Sequence, residues 1–218
     1  MIQHIKDNNT LLQLSLILGS IAQDVCLVGG SVRDSLISEY HNTPVNIKDF
    51  DIVLNGNLDI IYSTLVSNGW KVSEAGKQFL VMIASKNEQS FEIALYRKDG
   101  TYTDGRRPDS VDVGTIYDDA NRRDFTINAL YYDILHGVYI DPTGQGIEHI
   151  QQRKLQFVGS AKARIMEDKL RIMRAYRFAI TKGFSMDNKT HSVIRRYFED
   201  MIQSAPSARI MQELDKML

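Results

Sequence analysis

Apolar positions along this chain change their spacing repeatedly up to about residue 150 and then settle into one rhythm. Leu11, Leu12, Leu14, Leu16 and Ile17 form a wide apolar face and predict a helix over about Thr10–Ala22. Val25–Val28 reads as a strand, Ser31–Ser38 as a short helix and Phe50–Leu54 as a second strand, and a helix follows from about Leu58 to Ser67. Three more strands are expected near Trp70–Ser73, Phe79–Ala84 and Ser90–Tyr96. Arg97–Thr115 holds Asp99-Gly100, Asp104-Gly105 and Pro108, and reads as a long loop. Past about Gln151, apart from a short strand near Leu155–Val158, every segment is helical: Ala161–Met166, Asp168–Thr181, Asn188–Ile202 and Ser207–Leu218. That shift predicts an α+β unit over residues 1–150 and an all-helical unit over 151–218.

Composition changes this picture little. At 218 residues the chain holds one sizeable domain, or a compact domain with a helical extension. Leu11–Ile21 is interrupted by Gln13, Ser15, Gly19 and Ser20, so no apolar stretch approaches membrane-spanning length and no membrane association is expected. Met1-Ile2-Gln3-His4 lacks the features of a secretory signal, and a cytoplasmic location is the default expectation. The single cysteine, Cys26, lies in an apolar run and is expected in the core.

Charge changes it more. The net charge of −1 argues against a polyanionic partner, but its distribution does not. Between Arg153 and Lys182 stand nine basic residues, opposed only by Glu167 and Asp168. A basic segment joined to an acidic one suits polyanionic ligands, although on charge alone a solvated helix face is the better description.

Candidate chemistry starts at Asp49-Phe50-Asp51-Ile52. On a strand the two carboxylates share a face while Phe50 and Ile52 take the other. Hard oxygen ligands of this kind suit Mg²⁺, and two ions about 4 Å apart can clamp an in-line phosphoryl displacement. By itself the pair also describes surface aspartates closing a turn. Glu92, between Phe91 and Ile93, would bring a third carboxylate if its strand lies beside that of Asp49, as a ligand or as a base. Upstream, Gly29-Gly30-Ser31 at a strand-to-helix junction offers backbone N–H groups to a phosphate, with Arg33 one turn on. It is not a P-loop, since the spacing and the Lys-Ser/Thr ending are absent. Two further segments combine charge with an apolar helix: Arg122-Arg123-Asp124-Phe125-Thr126-Ile127-Asn128, and Asp168, Arg171, Arg174 and Arg177 at helical spacing. Asp168 and Arg171 offer an acceptor and forked donors, enough to read a base edge. A salt-bridged amphipathic helix is the plainer alternative.

Together these stretches resemble the class II nucleotidyltransferases, that is, tRNA CCA-adding enzymes and the related bacterial poly(A) polymerases. The resemblance rests on Val28-Gly29-Gly30-Ser31-Val32-Arg33-Asp34, Lys48-Asp49-Phe50-Asp51 and the run from Tyr102 to Pro108. It continues through Arg122–Leu130, Ile140-Asp141-Pro142-Thr143-Gly144 and Glu167-Asp168-Lys169-Leu170-Arg171, all in family order. It implies a nucleotidyltransferase-type head with a mixed five-stranded sheet and flanking helices, followed by a helical neck. Asp49 and Asp51 would hold two catalytic Mg²⁺ ions, with Glu92 beside them. Gly30, Arg33 and Arg123 would bind the triphosphate, and Gly29, Ser31, Asp124 and Asn128 belong to the same nucleotide-binding motifs. Asp168 and Arg171 would pair with the base of incoming CTP or ATP, with Arg174 and Arg177 on the same helix. The loop Arg97–Thr115 resembles the element implicated in switching between the two nucleotides. The implied reaction is attack of a tRNA 3′-hydroxyl on the α-phosphate, releasing pyrophosphate.

Three departures from the family stand out. Lys169 replaces a usual proline, and Ala208 replaces a usual glutamate in the neck motif Ser207–Leu214. The family's body and tail helices find no counterpart before Leu218, which gives an expectation of head plus neck only. A homodimer or a partner protein would then help hold the RNA. Restricted CC- or A-adding activity, poly(A) synthesis, or an inert nucleotide-binding remnant remain as alternatives.

Overall fold

The structure, a computed structural model, describes residues 2–47, 49–103 and 108–218. Helices α1 (Ile2–Lys6) and α2 (Asn9–Gly19) lead into strand β1 (Cys26–Val28), helix α3 (Gly30–His41), strand β2 (Asp51–Leu54) and helix α4 (Leu58–Ser67). Strands β3 (Lys71–Ser73), β4 (Val81–Lys86) and β5 (Gln89–Leu95) follow, then a ribbon of β6 (Arg97–Asp99) and β7 (Val111–Val113). Helix α5 (Ile116–Asn121), the hairpin β8 (Tyr131–Asp133) and β9 (Val138–Ile140), and helix α6 (Gly146–Gln151) complete the α+β part. Helices α7 (Ala161–Glu167), α8 (Arg171–Lys182), α9 (Asn188–Ser204) and α10 (Ser207–Asp215) form the rest.

The α+β class holds, and the sheet is wider than expected: seven strands in the order β3-β4-β5-β2-β1-β8-β9 instead of five. It is mixed because β2 runs parallel to β5 while its other neighbour, β1, is antiparallel. The added hairpin is hard to read because Tyr131, Tyr132 and Asp133 are all buried and show no alternation. The expected loop after residue 96 contains the β6–β7 ribbon, whose first strand, Arg-Lys-Asp, carries no apolar signal. Leu155–Val158 is not a strand; only the isolated bridge Phe125↔Phe157 forms there. Lys48 and residues 104–107, which contribute to the resemblance, lie outside the described residues.

Strand alternation divides the core. Leu27, Ile52, Leu54, Phe91 and Ile93 point into the large cluster under α2, α3 and α4, where Leu11, Leu14 and Leu18 are fully buried. Cys26, Val28, Val53 and Tyr131 point to the opposite face, where they meet Tyr96, Ala120 and Val158. Asp51 shares the parity of Val53, and Glu92 that of Ala94, so both acids belong to this second, smaller face. No helix among the described residues is long and apolar enough to cross a membrane.

Candidate active site

The site begins where β1 ends. Gly29 takes φ 75° and ψ −125°, a backbone only glycine adopts easily, and this turn starts α3 immediately. A Cβ placed on Gly29 would stand 3.8 Å from Arg123 Nη1 and 3.9 Å from Asp51 Oδ2. The glycine turn, an arginine and the first carboxylate of β2 therefore meet at one point. Val28 is paired with Asp51, and Asp51 with Glu92 across the parallel β2–β5 ladder. Partial burial raises the Asp51 carboxyl above its ordinary range; the charges of Glu92 and Asp49 add to this and Arg123 opposes it.

A cavity of about 430 Å³ opens from this point. Of the residues expected at the site, Gly29, Gly30, Arg33, Asp51, Arg123 and Asp124 line it from the sheet side. Asn128, Asp168, Arg171, Arg174 and Arg177 complete its wall. Ser31, Asp49 and Glu92 do not line it. Ser31 is buried at the start of α3, its hydroxyl without a hydrogen-bond partner among the described residues. Asp49, Asp51 and Glu92 do not converge into a cage, since no three potential metal-ligating side chains among the described residues are gathered closely enough.

Seven guanidinium groups face four carboxylates in this cavity, an excess of positive charge suited to a polyanion. Each arginine is held. Arg33 donates to Asp34 at 2.8 Å and to Asn128 Oδ1 at 2.7 Å. Asn128 in turn donates to Asp124 Oδ1 at 2.9 Å, and Arg174 Nε donates to Asp124 Oδ2 at 2.7 Å. Burial pushes the Asp124 carboxyl up, but Arg174 and the Asn128 hydrogen bond outweigh it and hold it at about 2. Arg33, Arg174 and Arg177 all lie over the ring of Phe178, at 4.8, 5.8 and 4.4 Å from its centre. One buried aromatic face thus supports three cations.

The helical arm differs from expectation at Asp168. This residue is extended and follows α7, and α8 begins only at Arg171. Asp168 Oδ1 accepts from Leu170 N at 3.0 Å, so the carboxylate closes the turn that starts α8 instead of riding on it. Arg171 donates to Glu167 Oε2 at 2.5 Å and to the carbonyl oxygens of Arg164 and Arg122, both at 2.9 Å. Lys169, at the family's usual proline, pairs with Asp200 of α9 at 2.8 Å.

Sequence reasoning missed Arg122, Arg209 and Glu213 as cavity residues. Arg177 Nε pairs with Glu213 Oε2 at 2.7 Å, and Arg209 lies 3.4 Å from Asp168 Oδ2. Arg209 and Glu213 sit four apart on α10, a spacing that puts both on one helix face and was a readable signal.

A sheet whose acidic strand end faces a glycine turn and an arginine wall defines the class of protein: a nucleotidyltransferase-type head followed by a helical region. Comparison with known proteins then places the chain: it belongs to the Poly A polymerase head domain family, whose model matches residues 25–156. The CCA-adding enzyme of Lactococcus lactis subsp. cremoris (strain MG1363) is 37% identical over 193 residues, covering 88% of this chain and 45% of that protein. The structure of the Bacillus stearothermophilus CCA-adding enzyme in complex with CTP matches with a TM-score of 0.77 at 28% identity, over 94% of this chain and 47% of that one. A tRNA nucleotidyltransferase complexed with a primer tRNA and an incoming ATP analog matches with a TM-score of 0.71 at 25% identity, over 88% of this chain and 52% of that one. The chain spans about half the length of these relatives.

Proposed function

We propose that this chain is the nucleotide-adding part of a CCA-adding enzyme, transferring CMP and AMP from CTP and ATP to a tRNA 3′ end with release of pyrophosphate. The observation that carries this reading is the meeting of Gly29, Arg123 and Asp51 at the mouth of an arginine-lined cavity whose far wall holds Asp168 and Arg171. The likeness to enzymes studied with CTP, and with primer tRNA and an ATP analog, supports it. Residues 1–150 would form the catalytic head and 151–218 the neck that reads the base.

The acids fit magnesium. Mutual repulsion and burial raise the Asp51 carboxyl, which is the penalty a bound cation relieves. Two carboxylates without a full protein cage also suit an ion that keeps waters and takes its remaining ligands from phosphates. Asp49 and Asp51 would hold Mg²⁺, which supplies charge neutralisation at the phosphates and at the attacking oxygen. Glu92, the register partner of Asp51, would tune that site or accept a proton.

This chain's own residues do the rest. Backbone N–H groups of Gly29–Ser31 and the guanidinium of Arg123 orient the triphosphate, and Asp124, Asn128 and Arg174 form a hydrogen-bonded polar ledge in the cavity wall. Asp168 and Arg171 present acceptor and donors to the base edge. Most of the rate would come from positioning and charge, not from covalent chemistry. The family's description also favours a second reading, poly(A) synthesis with the same cavity. Incubation with tRNA lacking CCA, Mg²⁺ and single labelled nucleotides separates the two. CMP incorporation followed by one AMP supports CCA addition, whereas long A-tails without use of CTP would refute it.

A further inference from the structure

Beneath the arginine wall lies a carboxylate that does not itself line the cavity. Asp119, on α5, is fully buried. Its Oδ1 accepts from Arg122 Nε at 2.9 Å and Nη2 at 2.6 Å. Its Oδ2 accepts from Arg123 Nε at 3.0 Å and Nη2 at 2.8 Å, and also from the Tyr131 hydroxyl at 2.6 Å. Tyr131 Oη in turn accepts from Arg123 Nε at 3.2 Å, and the Arg123 guanidinium lies 5.5 Å from the centre of the tyrosine ring. Arg123 therefore has Nε and Nη2 committed to buried partners. Its remaining nitrogen, Nη1, is the one found at the glycine turn.

We propose that Asp119, with Tyr131, is a positioning residue that fixes the Arg123 guanidinium so that Nη1 alone points at the Gly29 turn, where the nucleotide's polyphosphate binds; this rests on the reading above. The chemistry favours it. A forked contact fixes the plane of a guanidinium as well as its location, which a single hydrogen bond does not. A fixed plane avoids the side-chain ordering cost that a free arginine meets on binding a phosphate. Tyr131 is also anchored independently: it lies on β8, edge-on to Tyr96 at 6.2 Å between ring centres. Burial pushes the Asp119 carboxyl up, but the charges of Arg123 and Arg122 dominate and keep it ionised, at about 2. The carboxylate is therefore ionised at neutral pH. Asp119 also anchors Arg122, whose carbonyl oxygen accepts from Arg171 Nη2, so the same carboxylate steadies the segment that supports the base reader.

The test uses two variants and a probe without a base. Tyr131→Phe removes only the hydroxyl from a packed ring, and Asp119→Asn keeps the side chain's shape. The probe is inorganic tripolyphosphate, titrated into the full chain by calorimetry, with far-UV circular dichroism as the fold control. We expect folded Tyr131→Phe to bind tripolyphosphate about tenfold more weakly and Asp119→Asn still more weakly. For Tyr131→Phe, KM should rise by the same factor for CTP and ATP, with their ratio unchanged. Loss of structure alone would lower the thermal midpoint without changing the affinity of the folded fraction. Folded variants that bind tripolyphosphate as tightly as the unaltered chain would overturn the positioning role alone. An unaltered chain that binds neither tripolyphosphate nor CTP would overturn this role together with the functional reading.

Discussion

A methyl group at Gly29 would meet Arg123 and Asp51 only at ordinary contact distance, 3.8 and 3.9 Å, but it would sit on a backbone of φ 75° that L-residues resist. Gly29→Ala should cost about 1–3 kcal/mol of stability, read from the urea midpoint. It should also weaken CTP binding beyond what partial unfolding explains. Arg171 is a different kind of residue, buried and bonded to Glu167 and two carbonyl oxygens. Its contribution should lie in choosing the base. Arg171→Ala is expected to narrow the preference for CTP and ATP over GTP and UTP by at least about tenfold in kcat/KM, with a smaller loss of kcat. A variant that still discriminates normally would remove Arg171 from the base-reading role. At this scale much of the site is legible in the sequence, because glycines, paired aspartates and arginines are chemically conspicuous. What is not legible is commitment: nothing in the string of letters says that Arg33 is already spent on Asp34 and Asn128.

Among the elements, α10 closes the site. It meets α8 through Arg177–Glu213 and the turn before α8 through Asp168–Arg209, although the neck motif in this chain has Ala208 at the usual glutamate. Glu213 is 5% exposed, so Glu213→Gln would leave Arg177 facing a neutral partner in a desolvated setting. A loss of roughly 2 kcal/mol in urea unfolding is expected, accompanied by weaker nucleotide binding because α10 lines the cavity. Long amphipathic helices such as α9, and strand β5, are readable from periodicity because packing and pattern agree, whereas β1 and β2 are readable from short apolar runs. The β8–β9 hairpin and the β6–β7 ribbon are not. Each strand in them is three residues long, too short for a period, and the hairpin joins the sheet only through β1, which is distant in sequence. Asp168 shows the same limit at a helix start. Its spacing from Arg171 fits a helix, but its side chain caps the turn instead.

For the whole molecule, charge couples stability to pH. Asp119 and Asp124 both have folded values of about 2, below an ordinary 3.8. The stabilisation they contribute is fully present above the unfolded value near 3.8 and is lost as pH falls through about 2. Each shift corresponds to roughly 2 kcal/mol. Fluorescence of the single, buried Trp70 should therefore report acid unfolding that sets in below about pH 4. Asp119→Asn, already destabilised at neutral pH, should show a shallower dependence between pH 4 and 2.

The chemistry is assigned to Asp51, on the smaller face of the sheet, and to Asp49, which precedes β2 and is not part of the strand. The most direct test compares incorporation of labelled CMP into tRNA lacking CCA by the unaltered chain and by Asp49→Ala and Asp51→Ala, each checked by circular dichroism. Incorporation is expected from the unaltered chain, and its loss in both folded variants with Mg²⁺ present. Equal incorporation by either variant would contradict the assignment of these carboxylates to the chemistry.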